Sequence, residues 1–149
     1  IINDVKKFDK KKIHKATKVF QSLRIVVNQE ITQLIYGLIN GFKILPKGGI
    51  MAVVTFHSLE DRIVKYFFKN YSETKNTSRY LPEKKFEKKL FKIINKKPII
   101  PSFNEINVNP SSRSAKLRCV EKINDANNFE SFIKKFEYLT EIENLANNL

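Results

Sequence analysis

The chain has 149 residues, 42% of them hydrophobic and 11% aromatic, enough to bury the core of one ordinary domain and too many for a disordered segment. Its net charge of +13 favours a polyanionic partner such as RNA, although a Lys-rich composition alone can give the same excess. A single cysteine, Cys119, excludes an internal disulfide framework and predicts a reducing, cytoplasmic setting. No apolar run approaches the roughly 20 residues of a membrane span.

The first half of the chain predicts a long helix followed by a buried strand. Residues 16–45 carry apolar side chains at three- and four-residue spacing, which predicts one amphipathic helix that ends at the Pro46 and Gly48 turn. Its apolar stripe comprises Phe20, Leu23, Val27, Ile31, Leu34 and Leu38. Residues 50–56 are apolar without alternation, which predicts a strand in the middle of a parallel sheet that helices cover on both faces.

A second helix is predicted to follow, because Ser58 and Asp61 match a capping box, and it should run to about Asn70. Helix, glycine turn, buried strand, loop and helix together predict a doubly wound α/β fold. Residues 71–97 are rich in Lys, Asn, Ser and Thr. We interpret them as a basic insertion with a short helix near residues 84–90 and a strand near residues 91–94.

Three further elements are predicted in the last third of the chain. Residues 102–106 are expected to form one helical turn. Residues 115–123 alternate in hydrophobicity, which predicts an outer antiparallel strand with one buried face. Residues 129–145 repeat apolar side chains at helical spacing, so a terminal helix should pack back on the domain.

The densest polar cluster lies in the loop after the predicted buried strand. It comprises His57, Ser58, Glu60, Asp61 and Arg62. Ligands of doubly wound sheets bind beyond the carboxyl ends of the strands, so this loop is the predicted site. Each residue also has a purely structural explanation, since Ser is a common helix N-cap and the helix dipole favours acids in a first turn.

Two other groups of polar side chains are candidates for RNA contact. Thr17, Gln21, Arg24 and Asn28 share one narrow helix face, which indicates either a defined partner or a hydrogen-bond network within the fold. Residues 109–118 combine Ser and Arg side chains, which suit phosphate and sugar contacts, although a turn leading into a charged edge strand has the same pattern. Alternation would put Ser112, Ser114, Lys116 and Arg118 on one face.

Several familiar site motifs are absent from the sequence. It contains no G-x-G-x-x-G loop, no phosphate-binding G-x-x-x-x-G-K-[ST] loop and no G-x-S-x-G elbow. Two histidines and one cysteine give no zinc-ligand spacing, so no metal site is predicted. Pattern alone therefore indicates the basic half of an α/β domain directed at nucleic acid.

Three blocks of sequence match known signatures. Residues 14–30 are similar to H-P-A-T-R-x-F-Q-A-L-R-I-x-V-N-x-E. Residues 45–49 and 56–65 are similar to L-x-x-G-G and F-H-S-L-E-D-R-I-V-K, and residues 109–118 to N-P-R-S-R-S-A-K-L-R. Together these blocks resemble the RsmH (MraW) family of 16S rRNA cytosine-N4 methyltransferases. The chain departs at Lys15, Lys18 and Ser111, where the family has Pro, Arg and Arg, so bidentate phosphate recognition at Lys18 is weakened.

The resemblance implies a class I, Rossmann-like S-adenosylmethionine-dependent fold, of which residues 1–124 would be the C-terminal part, interrupted by the insertion at residues 71–97. Residues 125–149 lie outside it and are expected to form a helical tail. The family's glycine-rich cofactor turn, acidic ribose-binding residue and D-L-G-x-S segment would lie upstream, so this chain alone is expected neither to bind S-adenosylmethionine nor to methylate RNA. Half of a sheet would also expose an unpaired strand edge.

By the same resemblance, the substrate is the small ribosomal subunit, where a decoding-region cytosine of 16S rRNA becomes N4-methylcytosine. The residues expected to line the substrate side are His57, Ser58 and Glu60. The residues expected to contact RNA are Lys18, Gln21, Arg24, Asn28, Arg62, Arg113, Ser114 and Lys116. A non-catalytic basic RNA-binding module is the alternative. A DNA amino-methyltransferase is disfavoured, because the sequence has no [DNS]-P-P-[YFW] loop.

Overall fold

A computed structural model describes residues 15–72 and 89–147. In chain order, the elements are α1 (Lys15–Val27), α2 (Glu30–Ile44), β1 (Ile50–Thr55), α3 (Ser58–Ser72), β2 (Phe91–Ile93), α4 (Phe103–Val108), a 3-10 helix (Pro110–Ser114), β3 (Lys116–Lys122) and α5 (Glu130–Asn147). The short helix predicted near residues 84–90 falls almost wholly outside the described residues. None of the described helices is both long and apolar enough to cross a membrane.

The single helix predicted over residues 16–45 is wrong, because the chain turns between α1 and α2. We call residues 28–29 the elbow. Gln29 lies in the left-handed region with a φ of 51°, which ends the first helix and starts a second. The apolar spacing runs through the elbow unchanged, so periodicity alone could not reveal it. The end of α2 was predicted correctly: Leu45 caps it and Gly48 takes a φ of 80° in the following turn.

The three described strands form a sheet of order β1-β3-β2, in which both pairings are antiparallel. β3 alternates in burial as predicted, but it is the central strand and not an outer one. No described strand runs parallel to β1, and its burial alternates, with Met51 and Thr55 buried and Ile50, Ala52 and Val54 exposed. A mixed α/β fold is therefore confirmed, whereas the parallel, doubly covered sheet stays a prediction.

The core lies on one face of this sheet and is rich in phenylalanine. Phe42 of α2, Phe67 of α3, Phe91 of β2 and Phe132 of α5 are all fully buried. Phe67 contacts Phe132 at a ring-centroid distance of 4.7 Å and Phe91 at 5.5 Å, and Phe42 contacts Phe91 at 5.3 Å. The prediction that the terminal helix packs back on the domain is confirmed.

A buried lysine ties the end of α2 to the central strand. Lys122 Nζ donates to the carbonyl oxygens of Phe42 and Leu45 at 2.9 and 2.7 Å, and it pairs with Asp125 at 2.9 Å. The carbonyls at the C-terminus of a helix lack partners within the helix and attract a cation. This contact holds the connection between α2 and β1 in place.

Candidate active site

The site predicted after β1 lies where β1, α3 and the elbow meet. His57 stands directly before α3, and its side chain is 11% exposed. Its Nε2 lies 3.3 Å from Glu60 Oε1 and 3.9 Å from Glu30 Oε2. Glu30 is the first residue of α2. It lies within the first signature block, but no local pattern marks it as a site residue, because only the turn at the elbow brings it to His57.

His57 and Glu60 form the capping interaction of α3. The imidazole Nδ1 accepts a hydrogen bond from the Glu60 N–H at 3.4 Å, and Glu60 Oε2 accepts from the N–H groups of Phe56 and His57 at 2.9 and 3.2 Å. This is a reciprocal capping box with an imidazole in place of the usual hydroxyl. The predicted box of Ser58 and Asp61 is therefore wrong by one residue, and Ser58 lies in the first turn of the helix instead.

The hydrogen bond at Nδ1 determines where the neutral imidazole of His57 carries its proton. Because Nδ1 accepts, the proton of the neutral ring lies on Nε2, which is close to the two carboxylates but is buried and forms no hydrogen bond to a described residue. Ligand atoms of Glu30, His57 and Glu60 lie within 4.8 Å of one another, which is close enough for a shared metal ion. A metal on Nε2 would require the proton on Nδ1, where it would oppose the Glu60 N–H. The geometry thus favours a hydrogen-bonding site over a metal centre.

Glu30 is also bound from the α1 side of the elbow. Arg24 Nε lies 2.8 Å from Glu30 Oε1, and its Nη2 donates to Oε2 at 3.2 Å. Asn28 Nδ2 donates to Oε1 at 3.3 Å. Of the two explanations for the polar face of α1, the network within the fold is therefore observed at Arg24 and Asn28. Gln21 and Lys18 lie about one and two turns before Arg24 on α1.

A second network of charged side chains joins α3 to the central strand, β3. Asp61 Oδ1 accepts from Arg118 Nε at 2.7 Å, and Oδ2 accepts from Arg118 Nη2 at 3.2 Å and Lys116 Nζ at 3.4 Å. The hydrogen bond from Arg118 is the largest cause that holds the pKa of Asp61 below its ordinary value. Lys116, expected to contact RNA, is thus partly engaged inside the protein.

The remaining candidates for RNA contact are Arg62, Arg113 and Ser114. None of the hydrogen bonds or ion pairs found among the described residues joins them to His57. The predicted alternation is wrong at residues 112–114, because Pro110–Ser114 is a 3-10 helix in which Ser112 is buried and donates to the Asn109 carbonyl. The proline at the start of this segment favours such a turn over a strand.

A positively charged cavity was not foreseen from the sequence. It measures about 310 Å³ and lies between α3, β2 and β3. Its cationic lining consists of Lys65, Lys69, Lys96 and Arg118. Arg62, Lys65 and Lys69 are spaced for one face of α3, so the charge continues from this cavity toward the site. The helical spacing of the basic residues on α3 is the sequence feature that could have predicted this basic surface.

Comparison with known proteins gives one consistent family. The family model described as MraW methylase matches residues 1–123. Ribosomal RNA small subunit methyltransferase H of Borrelia garinii subsp. bavariensis is 49% identical over 123 residues, which cover 83% of this chain and 36% of that protein. The proteins of the same name from Methylorubrum extorquens and Xanthobacter autotrophicus are 51% and 44% identical over 112 residues, covering 74% and 75% of this chain and 32% of each relative. The chain thus spans about a third of the length of these relatives, and α5 lies beyond the residues that the family model matches.

Proposed function

The chain belongs to the MraW methylase family, and on this premise we propose that it is the C-terminal part of an S-adenosylmethionine-dependent enzyme that methylates the N4 amine of a decoding-region cytosine in bacterial 16S rRNA. The relatives bear the name of methyltransferases of the small-subunit ribosomal RNA. The observation that carries the proposal is the convergence of Glu30, from one signature block, with His57 and Glu60 from another. The enzyme would act in the cytoplasm on the small ribosomal subunit.

The cluster offers hydrogen-bonding groups that complement the pairing edge of cytosine. The N4 amine is a poor nucleophile because its lone pair is delocalised into the ring, so acceptors must hold its hydrogens and orient the base. The carboxylates of Glu30 and Glu60 are such acceptors. His57 Nε2, which is buried and has no hydrogen-bond partner among the described residues, would donate to the ring nitrogen beside the amine. Ser58 lies in the adjoining turn. The cytosine would leave the base stack of the RNA to reach these side chains.

S-adenosylmethionine, when bound, supplies an electrophilic methyl group on its sulfonium. The described residues form no glycine-rich turn with an acid placed to receive a ribose, so we assign no cofactor contact to this chain. We propose that the cofactor site lies in the upstream two-thirds that the relatives possess. The residues of this chain then hold and orient the substrate base.

We further propose that the upstream portion completes a doubly wound sheet. The second edge of β1 has no partner among the described strands, and its outer face exposes Ile50 and Val54. An apolar sheet face and an open strand edge favour a further strand beside β1 and helices over that face.

The RNA backbone would lie along the basic surface around the site. Arg62 and Arg113 are always charged, and the cavity lined by Lys65 and Lys96 extends the same positive field. The proposed contacts at Lys18, Gln21, Arg24, Asn28, Ser114 and Lys116 would flank this surface. Such contacts predict that RNA affinity falls steeply as salt concentration rises.

The test is Glu60→Gln in a protein that carries this chain together with its upstream coding sequence. Glutamine keeps the capping bonds to the backbone but is a weaker acceptor for the amine, so the methylation rate on small ribosomal subunits should fall by about 100-fold or more. Transfer of labelled methyl from S-adenosylmethionine gives the rate, and mass spectrometry of the nucleosides identifies N4-methylcytosine. Glu105→Gln, exposed on α4, is the matched control.

An unchanged rate in Glu60→Gln would remove this carboxylate from the mechanism. A wild-type protein that binds the subunit yet transfers no methyl group would favour the non-catalytic RNA-binding module instead.

A further inference from the structure

Glu143 of α5 carries a fully buried carboxylate that caps a helix distant in sequence. Its side chain is 1% exposed. Oε1 accepts from the Ile31 N–H at 2.9 Å, and Oε2 accepts from the Thr32 N–H at 2.8 Å and the Thr32 hydroxyl at 2.6 Å. A buried carboxylate is tolerated only when hydrogen bonds replace its hydration, and here they come from the positive end of α2.

This cap is needed because of the elbow. Gln29, the residue before α2, adopts a left-handed conformation and makes no side-chain capping bond. The first N–H groups of a helix have no partner within the helix and require an acceptor from elsewhere. Glu143 provides it from 112 positions along the chain, and α5 packs against both α1 and α2. The start of α2 is therefore held by α5.

Glu30 lies in the same first turn of α2 as the two capped residues. It directly precedes the two capped residues, and its carboxylate binds Arg24 and Asn28 and lies 3.9 Å from His57 Nε2. We propose that Glu143 is a positioning residue of the active site, which holds the elbow so that Glu30 stays beside His57. The inference rests on the proposed function for its catalytic consequence. The cap would then act on the site from α5, which lies beyond the residues that the family model matches.

The test compares Glu143→Gln with Glu141→Gln in the full-length protein. Glu141 is exposed on the same helix, so its variant controls for the loss of one charge from α5. The amide introduced by Glu143→Gln would place an N–H group against backbone N–H donors, so the first turn of α2 should shift and move Glu30. We expect kcat to fall about 10- to 100-fold with little change in KM, because misplacement of the site acts on the chemical step.

A spectroscopic readout separates positioning from general stabilisation. Nitrogen-15 correlation spectra of the histidine rings report the environment of His57, with its signals assigned through His57→Gln. Glu143→Gln should shift the His57 signals at temperatures where the protein is folded, and Glu141→Gln should leave them in place. Unchanged His57 signals with a lowered thermal midpoint would overturn the proposal and leave Glu143 as a stabilising cap.

A milder variant covers the case in which Glu143→Gln does not fold. Thr32→Val removes only the hydroxyl bond and keeps both backbone bonds to Glu143. It should shift the His57 signals in the same way but less, and no shift would again contradict the proposal. These spectra need no methyl transfer, so failure of the proposed function and failure of this inference can be told apart.

Discussion

Helices α1 and α2 continue one apolar stripe along the sequence, yet their burial is opposite. Phe20, Leu23 and Val27 of α1 are 63%, 55% and 68% exposed, whereas Ile31 and Leu38 of α2 are 1% and 4% exposed. The apolar face of α2 packs against α3 and α5. Helix α1 also packs against α5, and its Ile25 contacts the core, but its stripe stays exposed among the described residues. An amphipathic pattern therefore identifies the apolar face of a helix but not whether another element covers it.

The two faces of the sheet show the same contrast. Met51 and Val120 point into the core, while Ile50 and Val54 are exposed on the opposite face. Neighbouring exposed apolar side chains on a sheet face are typical of a contact region. The exposed face supports the proposal that the upstream portion of the protein covers this side of the sheet. The contrast between covered and exposed residues can be tested by substituting one residue of each kind.

The largest expected effect distinguishes the two helices directly. Phe42→Ala should lower the free energy of unfolding by about 3–5 kcal/mol, because it leaves a cavity among buried aromatic rings. Phe20→Ala in the chain studied alone should change it by less than about 0.5 kcal/mol, since the ring is already largely in water. Urea unfolding followed by circular dichroism measures both values. Similar losses of unfolding free energy in the two variants would contradict the difference in burial between α1 and α2. A larger loss for Phe20→Ala in the full-length protein would indicate that the upstream portion covers α1.

The next largest effect concerns the ion pair between Asp61 and Arg118. The pKa of Asp61 lies below its ordinary value of 3.8, chiefly because of the hydrogen bond from Arg118. The contribution of Asp61 to folding stability is therefore complete above pH 3.8 and is lost as the pH falls through the lower pKa of the folded state. Asp61→Asn should cost about 1–3 kcal/mol at about pH 6. As the pH falls below the ordinary pKa, the variant should lose less stability than the wild type. Urea midpoints measured from neutral to strongly acidic pH give this difference.

Asp125→Asn is the comparison for that experiment. A hydrogen bond from Lys122 is the largest cause that lowers the pKa of Asp125, but this carboxylate is mostly exposed, so solvent screens its interactions. Its substitution should therefore change the urea midpoint less than Asp61→Asn at every pH. If the urea midpoints of the two variants changed equally with pH, the pH dependence could not be assigned to Asp61.

The smallest effect is expected at the elbow itself. Gln29 has a left-handed backbone, which costs a residue with a side chain about 1 kcal/mol more than glycine. Gln29→Gly should thus raise stability by roughly 0.5 kcal/mol after the added entropy of the unfolded chain is counted. Gln33→Gly, inside α2, should lower it by about 1 kcal/mol. Thermal midpoints of the two variants should move in opposite directions.

The sequence determined the features that depend on neighbouring residues. Pro46 and Gly48 predicted the end of α2, the apolar run at residues 50–56 predicted β1, and the signature blocks identified His57 and Glu60 as candidate site residues. The first turn of α3 was predicted one residue out of register, because an imidazole can take the capping role of a hydroxyl. These features arise from backbone preferences and hydrogen bonds that span only a few residues.

Only the tertiary structure decided the rest. The elbow at Gln29 has no local signal, since the acceptor that completes α2 is Glu143, 112 positions from Ile31. The position of Glu30 beside His57 follows from that turn, and the central place of β3 follows from pairing with strands that are distant in the chain. Such contacts depend on which elements meet in space, whereas periodicity and capping patterns record only each element's own face and ends.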